Sequence, residues 1–136
     1  MGSIRIRLLL DKSDGRLKSF HTSEKVFCFI KSYDKTDKFT GVPVNTVLDK
    51  LNYLAKRGFI APGTVEHEWD DVYRIRVEDT GRIIGFFDCD KFIAVDCFIK
   101  KGQKLTSQQR EIINKVGRIK KDNLWLFEIG DLNYEC

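Results

Sequence analysis

Apolar and polar residues alternate from Ile4 to Leu10, with Ile4, Ile6, Leu8 and Leu10 on one side and Arg5 and Arg7 on the other. That period of two predicts a half-buried strand. Asp14-Gly15 then signals a turn. Farther on the period lengthens. Val26, Phe29, Ile30 and Tyr33 share one helical face behind Ser23, a residue type that caps helix N-termini. The run from Val26 to Ile30 also has strand composition, and the cap and the spacing favour a helix. Val44, Val47, Leu48, Leu51, Leu54 and Ala55 form a second helical stripe. Pro43 suits its first turn and Gly58 its stop. With Gly41 in the short polar loop between them, the two helices predict an αα-hairpin.

The period then returns to two. Tyr73, Ile75 and Val77 alternate with Arg74, Arg76 and Glu78. Asp79-Thr80-Gly81 reads as a tight turn, Arg82 to Asp88 as a strand, Cys89-Asp90-Lys91 as a second turn and Phe92 to Ile99 as a third strand. A last helix opens at Thr106-Ser107, where Thr106 and Gln109 fit a capping box, and Ile112, Ile113, Val116 and Ile119 form its buried stripe. The apolar run from Leu124 to Ile129 predicts a short edge strand. The whole reads as an α+β fold with an N-terminal strand, an αα-hairpin, an antiparallel β-meander and a C-terminal helix, the helices segregated to one side of the sheet.

Composition narrows the class. The 136 residues suit one domain, 1–136, with 122–136 as a short acidic tail. A hydrophobic content of 42% with only 2 Pro excludes disordered and collagen-like chains. No apolar run approaches the roughly 20 residues of a membrane helix, and the first residues lack a signal-peptide pattern. The expectation is a soluble cytoplasmic protein with no membrane partner. Cys28, Cys89, Cys97 and Cys136 form no CxxC pair, so reduced thiols are expected, although an even count leaves a disulfide open. His21 and His67 supply no zinc spacing, and the acidic stretch around His67 reads as a solvated loop rather than a metal site. No cofactor and no metal are expected. Nothing suggests a small-molecule enzyme: the chain has no phosphate-cradling Gly loop and no Ser/His/Asp or Cys/His constellation.

Net charge is +4, but it is unevenly placed. Residues 98–121 hold eight Lys or Arg and one acid, whereas 122–136 hold four acids and no Lys or Arg. A basic block of this kind is an electrostatic footprint for a polyanion, or else the solvated face of a helix. Trp125 and Phe127 could stack on bases, but packing on the sheet is the preferred reading.

Three segments together carry a resemblance: Val72-Tyr73-Arg74-Ile75-Arg76-Val77, Gly81-Arg82-Ile83-Ile84-Gly85-Phe86-Phe87, and Phe98-Ile99-Lys100-Lys101-Gly102-Gln103-Lys104-Leu105-Thr106 before a basic helix. Over residues 43–121 the chain resembles the RelE/ParE toxin superfamily, and within it the HigB-like branch with its F-x-K-K-x-x-K junction. The resemblance implies a type II toxin of a toxin–antitoxin system. Such a toxin is a metal-independent endoribonuclease that cleaves mRNA, often at the ribosome, and so inhibits translation. Its partners are mRNA, the ribosome and an antitoxin protein with a DNA-binding domain. By position, Arg76, Arg82 and Lys101 are the implied catalytic residues, and Arg74, Lys100 and Lys104 the implied substrate-binding ones.

The residue types suit the chemistry. Attack of an RNA 2′-OH on the adjacent phosphate leaves a 2′,3′-cyclic phosphate, and preorganised cations stabilise the charge that develops. Arginine stays charged and meets phosphate bidentately. Strand alternation puts Arg74 and Arg76 on one face about 7 Å apart. A lysine crowded by arginines can serve as base. Arg82 and Lys101 are expected to be surface charges, removable with little change in stability. The superfamily often places a Tyr or His at the start of the last helix; here that stretch reads Leu105, Thr106, Ser107, Gln108, with Tyr73 and Tyr134 as distant substitutes. The alternatives are a catalytically inactive RNA- or ribosome-binding module and a ParE-type DNA gyrase inhibitor.

Overall fold

The computed structural model describes residues 3–136 apart from 12–13, 42, 45, 59–62 and 129–135. The elements are β1 (Ile4–Asp11), β2 (Ser19–Thr22), α1 (Glu24–Lys31), β3 (Lys35–Thr36), β4 (Pro43–Val44), α2 (Thr46–Lys56), β5 (Val65–His67), β6 (Tyr73–Val77), β7 (Gly81–Asp88), β8 (Lys91–Ile99), α3 (Ser107–Lys121) and β9 (Trp125–Phe127). The protein is a mixed α+β fold. Its main sheet runs β5-β6-β7-β8-β2-β1-β9. The β6-β7-β8 meander is antiparallel, β2 joins β8 in parallel, β1 returns antiparallel to β2, and β9 lies parallel to β1.

Local signals placed most of these elements. Ser23 caps α1 by accepting from the Val26 N–H. Thr106 and Gln109 form the expected reciprocal capping box of α3, each side chain accepting from the other's backbone N–H. Asp88 faces Lys91 across a two-residue turn whose first member, Cys89, has φ 55°. Gly58, at φ 75°, follows α2 as its stop.

Three expectations give way. Pro43 belongs to a short strand rather than to α2, because the chain between the first two helices pairs as a β3–β4 ribbon (Lys35 with Val44, Thr36 with Pro43). The simple αα-hairpin is therefore replaced by two helices joined through that ribbon. The sheet is wider than the meander plus edge strands, since β2 inserts between β8 and β1 and β5 extends it beyond β6. Finally, the helices do not share one side. Ile83 and Ile84 are neighbours in β7, yet Ile83 joins a core with Val26, Ile30, Leu51 and Leu54 of α1 and α2, while Ile84 joins one with Ile113, Val116 and Ile119 of α3. Phe92 and Ile93 of β8 divide the same way. Strands covered on both faces read as continuous apolar runs instead of alternating ones, and β7 and β8 do so.

Lys25 and Lys115 converge on Asp96, beside a cationic strand end

Arg76 and Arg82 sit directly opposite each other across the β6–β7 ladder. Paired residues of antiparallel strands share a face, here the α3 face, because Arg82 also opposes Phe98 of the α3-side core. The junction after β8 begins beside them: Gly81 opposes Ile99, and the Lys100 N–H donates to the Thr80 carbonyl at 2.7 Å. Arg76, Arg82, Lys100 and Lys101 are thus gathered at one end of the meander. Lys101 and Lys104 are exposed in the bend that leads to α3.

Their surroundings differ from the expectation in two respects. Arg74 lies opposite Glu66 of β5 and is held by the carboxylates of Glu66 and Glu68, the latter at 3.1 Å. The acidic stretch around His67 was expected to be a solvated loop; instead it supplies a strand whose acids neutralise this arginine. Arg82 is not a surface charge. It is 8% exposed, and its Nη1 donates to the carbonyls of Gly81 at 2.8 Å and Asp79 at 3.2 Å. Burial lowers its pKa, with Arg76 and Arg74 adding to the effect. Arg76 is exposed and has no side-chain ion pair among the described residues.

A tyrosine does come near this end, from a direction the sequence did not suggest. A Cβ added at Gly81 would lie 2.5 Å from the Tyr33 hydroxyl, so this phenol, two residues past α1, packs against the start of β7 on the α1/α2 face, opposite the arginines. Burial raises the Tyr33 pKa, Glu78 adds to the rise and Arg82 opposes it. Tyr73 packs edge-on against Phe87 within the sheet, and Tyr134 lies outside the described residues. Trp125 packs edge-on against Phe86, as expected for a packing role.

A second charged cluster was missed. Asp96 is 1% exposed, yet it sits in the middle of β8. A bulge at Val95 shifts the register between Ile84 and Gly85, so that Asp96 opposes Ile84 and turns to the α3 face. Its Oδ1 accepts from Lys25 Nζ at 2.5 Å and from the Cys97 N–H at 2.8 Å, and its Oδ2 accepts from Lys115 Nζ at 2.7 Å. Burial opposes ionisation, but the bonds from Lys115, Lys25 and Cys97 more than offset it, and the Asp96 pKa is lowered. The sequence signal was a lone acid in an otherwise apolar strand, which a buried charge requires partners to tolerate.

Of the cysteines, Cys28 and Cys136 form a disulfide with Cα atoms 5.4 Å apart, contrary to the expectation of reduced thiols. Cys89 is a free exposed thiol and Cys97 a free buried one. Among the described residues no group of three or more His, Cys, Asp or Glu is placed to hold a metal ion. No helix is long and apolar enough to cross a membrane. No protein-family model, curated protein or solved structure matches the chain.

Proposed function

We propose that the chain acts on RNA as a RelE/HigB-like, metal-independent endoribonuclease of a toxin–antitoxin pair. In this reading it cleaves mRNA at the ribosome and is silenced by an antitoxin that covers the cationic end of the meander. The supporting observation is the direct cross-strand pairing of Arg76 with Arg82 beside the Lys100-Lys101 junction. An RNA phosphate there meets Arg76 and Lys101 from solvent, while Arg82, fixed by two turn carbonyls, contributes a positive charge that does not have to reorganise.

The neutralised Arg74 favours one second reading. With that arginine tied to Glu66 and Glu68, the face retains less charge than a phosphoryl-transfer site uses, and the chain then binds RNA or the ribosome without cutting. Expression in bacteria from a tight inducible promoter separates the two. The Arg76→Ala/Lys101→Ala variant serves as control, since both side chains are exposed and their loss leaves the fold within about 0.5 kcal/mol per site. Growth arrest with new mRNA 5′ ends, both lost in the variant, is the expected result. Arrest with intact messages would replace cleavage by ribosome binding or gyrase inhibition.

A further inference from the structure

The Lys25–Asp96–Lys115 cluster lines a cleft of about 600 Å³ whose lining includes neither Arg76 nor Arg82. Its origin is a gap in the sheet. β2 stops at Thr22, opposite Ala94, while β8 continues to Ile99 and β1 starts at Ile4, three residues before its Arg7–Thr22 pair. Among the described residues no strand fills the space between Ile4–Ile6 of β1 and the Val95–Asp96 step of β8. Instead α1 begins there: the Ser23 N–H donates to the Ala94 carbonyl and its hydroxyl to the Val95 carbonyl at 2.8 Å. β2 and β8 run parallel, so β2 points its carboxyl end into this gap while β8 runs on past it to Ile99.

The lining is charged, with four cations and three acids. Arg5, Arg7, Lys25 and Lys115 line it with Glu24, Asp96 and Glu128. Glu128 is paired with Arg7 and, at 3.7 Å, with Arg5. Asp96 has both oxygens engaged, so it orients the two ammonium groups and leaves the triad with one net positive charge. Each lysine has three donors and directs one at Asp96. Four ammonium N–H groups remain for the cleft. The Glu24 and Lys25 backbone N–H groups, in the first turn of α1, have no acceptor within the helix and carry the positive end of its dipole. Burial opposes the charged form of Lys25, but the Asp96 hydrogen bond and charge prevail and raise its pKa. Lys25 is therefore a fixed cation and not a base.

We infer that this cleft binds a phosphate monoester, with Lys25 and Lys115 on the phosphoryl oxygens and Arg5 at the mouth. A phosphoryl group offers three oxygens and close to two charges, matching two ammonium groups fixed by one carboxylate, where a single carboxylate ligand would leave donors unmet. Neither the gap nor the cluster involves the arginine pair, so the inference stands apart from the ribonuclease reading. The monoester is either a small phosphorylated molecule or the 5′ end of an RNA; the chemistry at the cleft is the same.

Isothermal titration of the intact protein with inorganic phosphate, adenosine, adenosine 5′-monophosphate and a 5′-phosphorylated tetraribonucleotide tests it. The monophosphate should bind and adenosine should not. Lys25→Met and Lys115→Met should each weaken the monophosphate at least tenfold, Lys25→Arg should retain most of the affinity, and Lys38→Met, at an exposed lysine outside the cleft, should change it less than twofold. A tetranucleotide that binds tenfold tighter than the monophosphate assigns the site to RNA ends, and equal affinity assigns it to small molecules; either is consistent with the inference. It is overturned if the monophosphate shows no heat up to about 10 mM, about the weakest binding worth the name, or if neither Lys25→Met nor Lys115→Met weakens it. Circular dichroism of each variant accompanies the titration, and Lys25→Met, at a 61% exposed side chain, keeps the test valid if Lys115→Met does not fold.

Discussion

His21 sits in β2, between β8 and β1 in the sheet, where its Nε2 meets Ser19 Oγ at 2.9 Å and its Nδ1 has no partner. Its ring packs against Phe127 at 4.8 Å. Burial lowers its pKa from 6.5 to about 4, with Lys91 adding to the fall and Asp11 and Asp88 opposing it. The unfolded chain, with the ordinary value, takes up the proton first. Stability from this residue is therefore full above pH 6.5 and falls as pH drops towards 4, by roughly 2–3 kcal/mol over the window. Urea titrations at pH 7 and pH 5 should show that loss, and His21→Leu should flatten the slope between them. An unchanged slope in the variant would mean that other groups carry it. Asp96, whose pKa is also lowered, acts with the same sign at lower pH: its contribution is full above the ordinary carboxylate range and is lost as pH falls below it. Both residues were visible as letters. His21 gave no sign of its burial, because a histidine is read as exposed until a neighbouring element is known to cover it, and Asp96 gave only that of a lone acid in an apolar strand.

At the scale of elements, the strongest constraint falls on Gly85 in β7. A Cβ there would lie 2.2 Å from the Ile93 carbonyl and 2.8 Å from the Phe92 ring, next to the bulge that presents Asp96. Backbone cannot yield as a side-chain tip can. Gly85→Ala should lower stability by about 1–3 kcal/mol or more. Gly102→Ala, in the open bend before α3 with its nearest neighbour at 4.0 Å, should stay within about 0.5 kcal/mol. Equal denaturation midpoints for the two variants would refute the close approach. Elements with local signatures were legible: a cap with periodic apolar residues (α1, α3), alternation ended by a turn (β6), or an apolar run bounded by turns (β7). β2 was not. It has four residues, three of them polar, and all four are buried. Only its position between β8 and β1 makes it a strand. β5 was missed likewise, being three residues of an acidic stretch.

Across the whole molecule, the Cys28–Cys136 bridge joins residues 108 apart in sequence and fastens the C-terminal residue to α1. A link over so long a loop removes much of the freedom of the unfolded chain. Cys28→Ser should shift the unfolding free energy down by about 2–4 kcal/mol. Dithiothreitol should do the same to the unaltered chain and nothing further to the variant; equal stability with and without reductant would show that the bridge contributes nothing. The bridge also counts against the expected reducing compartment, where such links are rare. The acidic tail does not lie over the basic block in its described part. Glu128 instead pairs with Arg7 and Arg5 at the mouth of the cleft.

By itself the sequence determined the mixed α+β class, the meander, the caps of α1 and α3, and the cations at Arg76, Lys100 and Lys101. Those follow from spacing and from residues a few positions apart, which act whatever the rest of the chain does. The tertiary structure alone decided that helices cover both faces, that Arg74 meets Glu66 and Glu68, that Arg82 is buried, and that Lys25 and Lys115 converge on Asp96. Each of these joins partners from different elements, and the distance between them depends on strand order and on the bulge at Val95. No local pattern encodes that distance, because it is fixed only when both cores are packed.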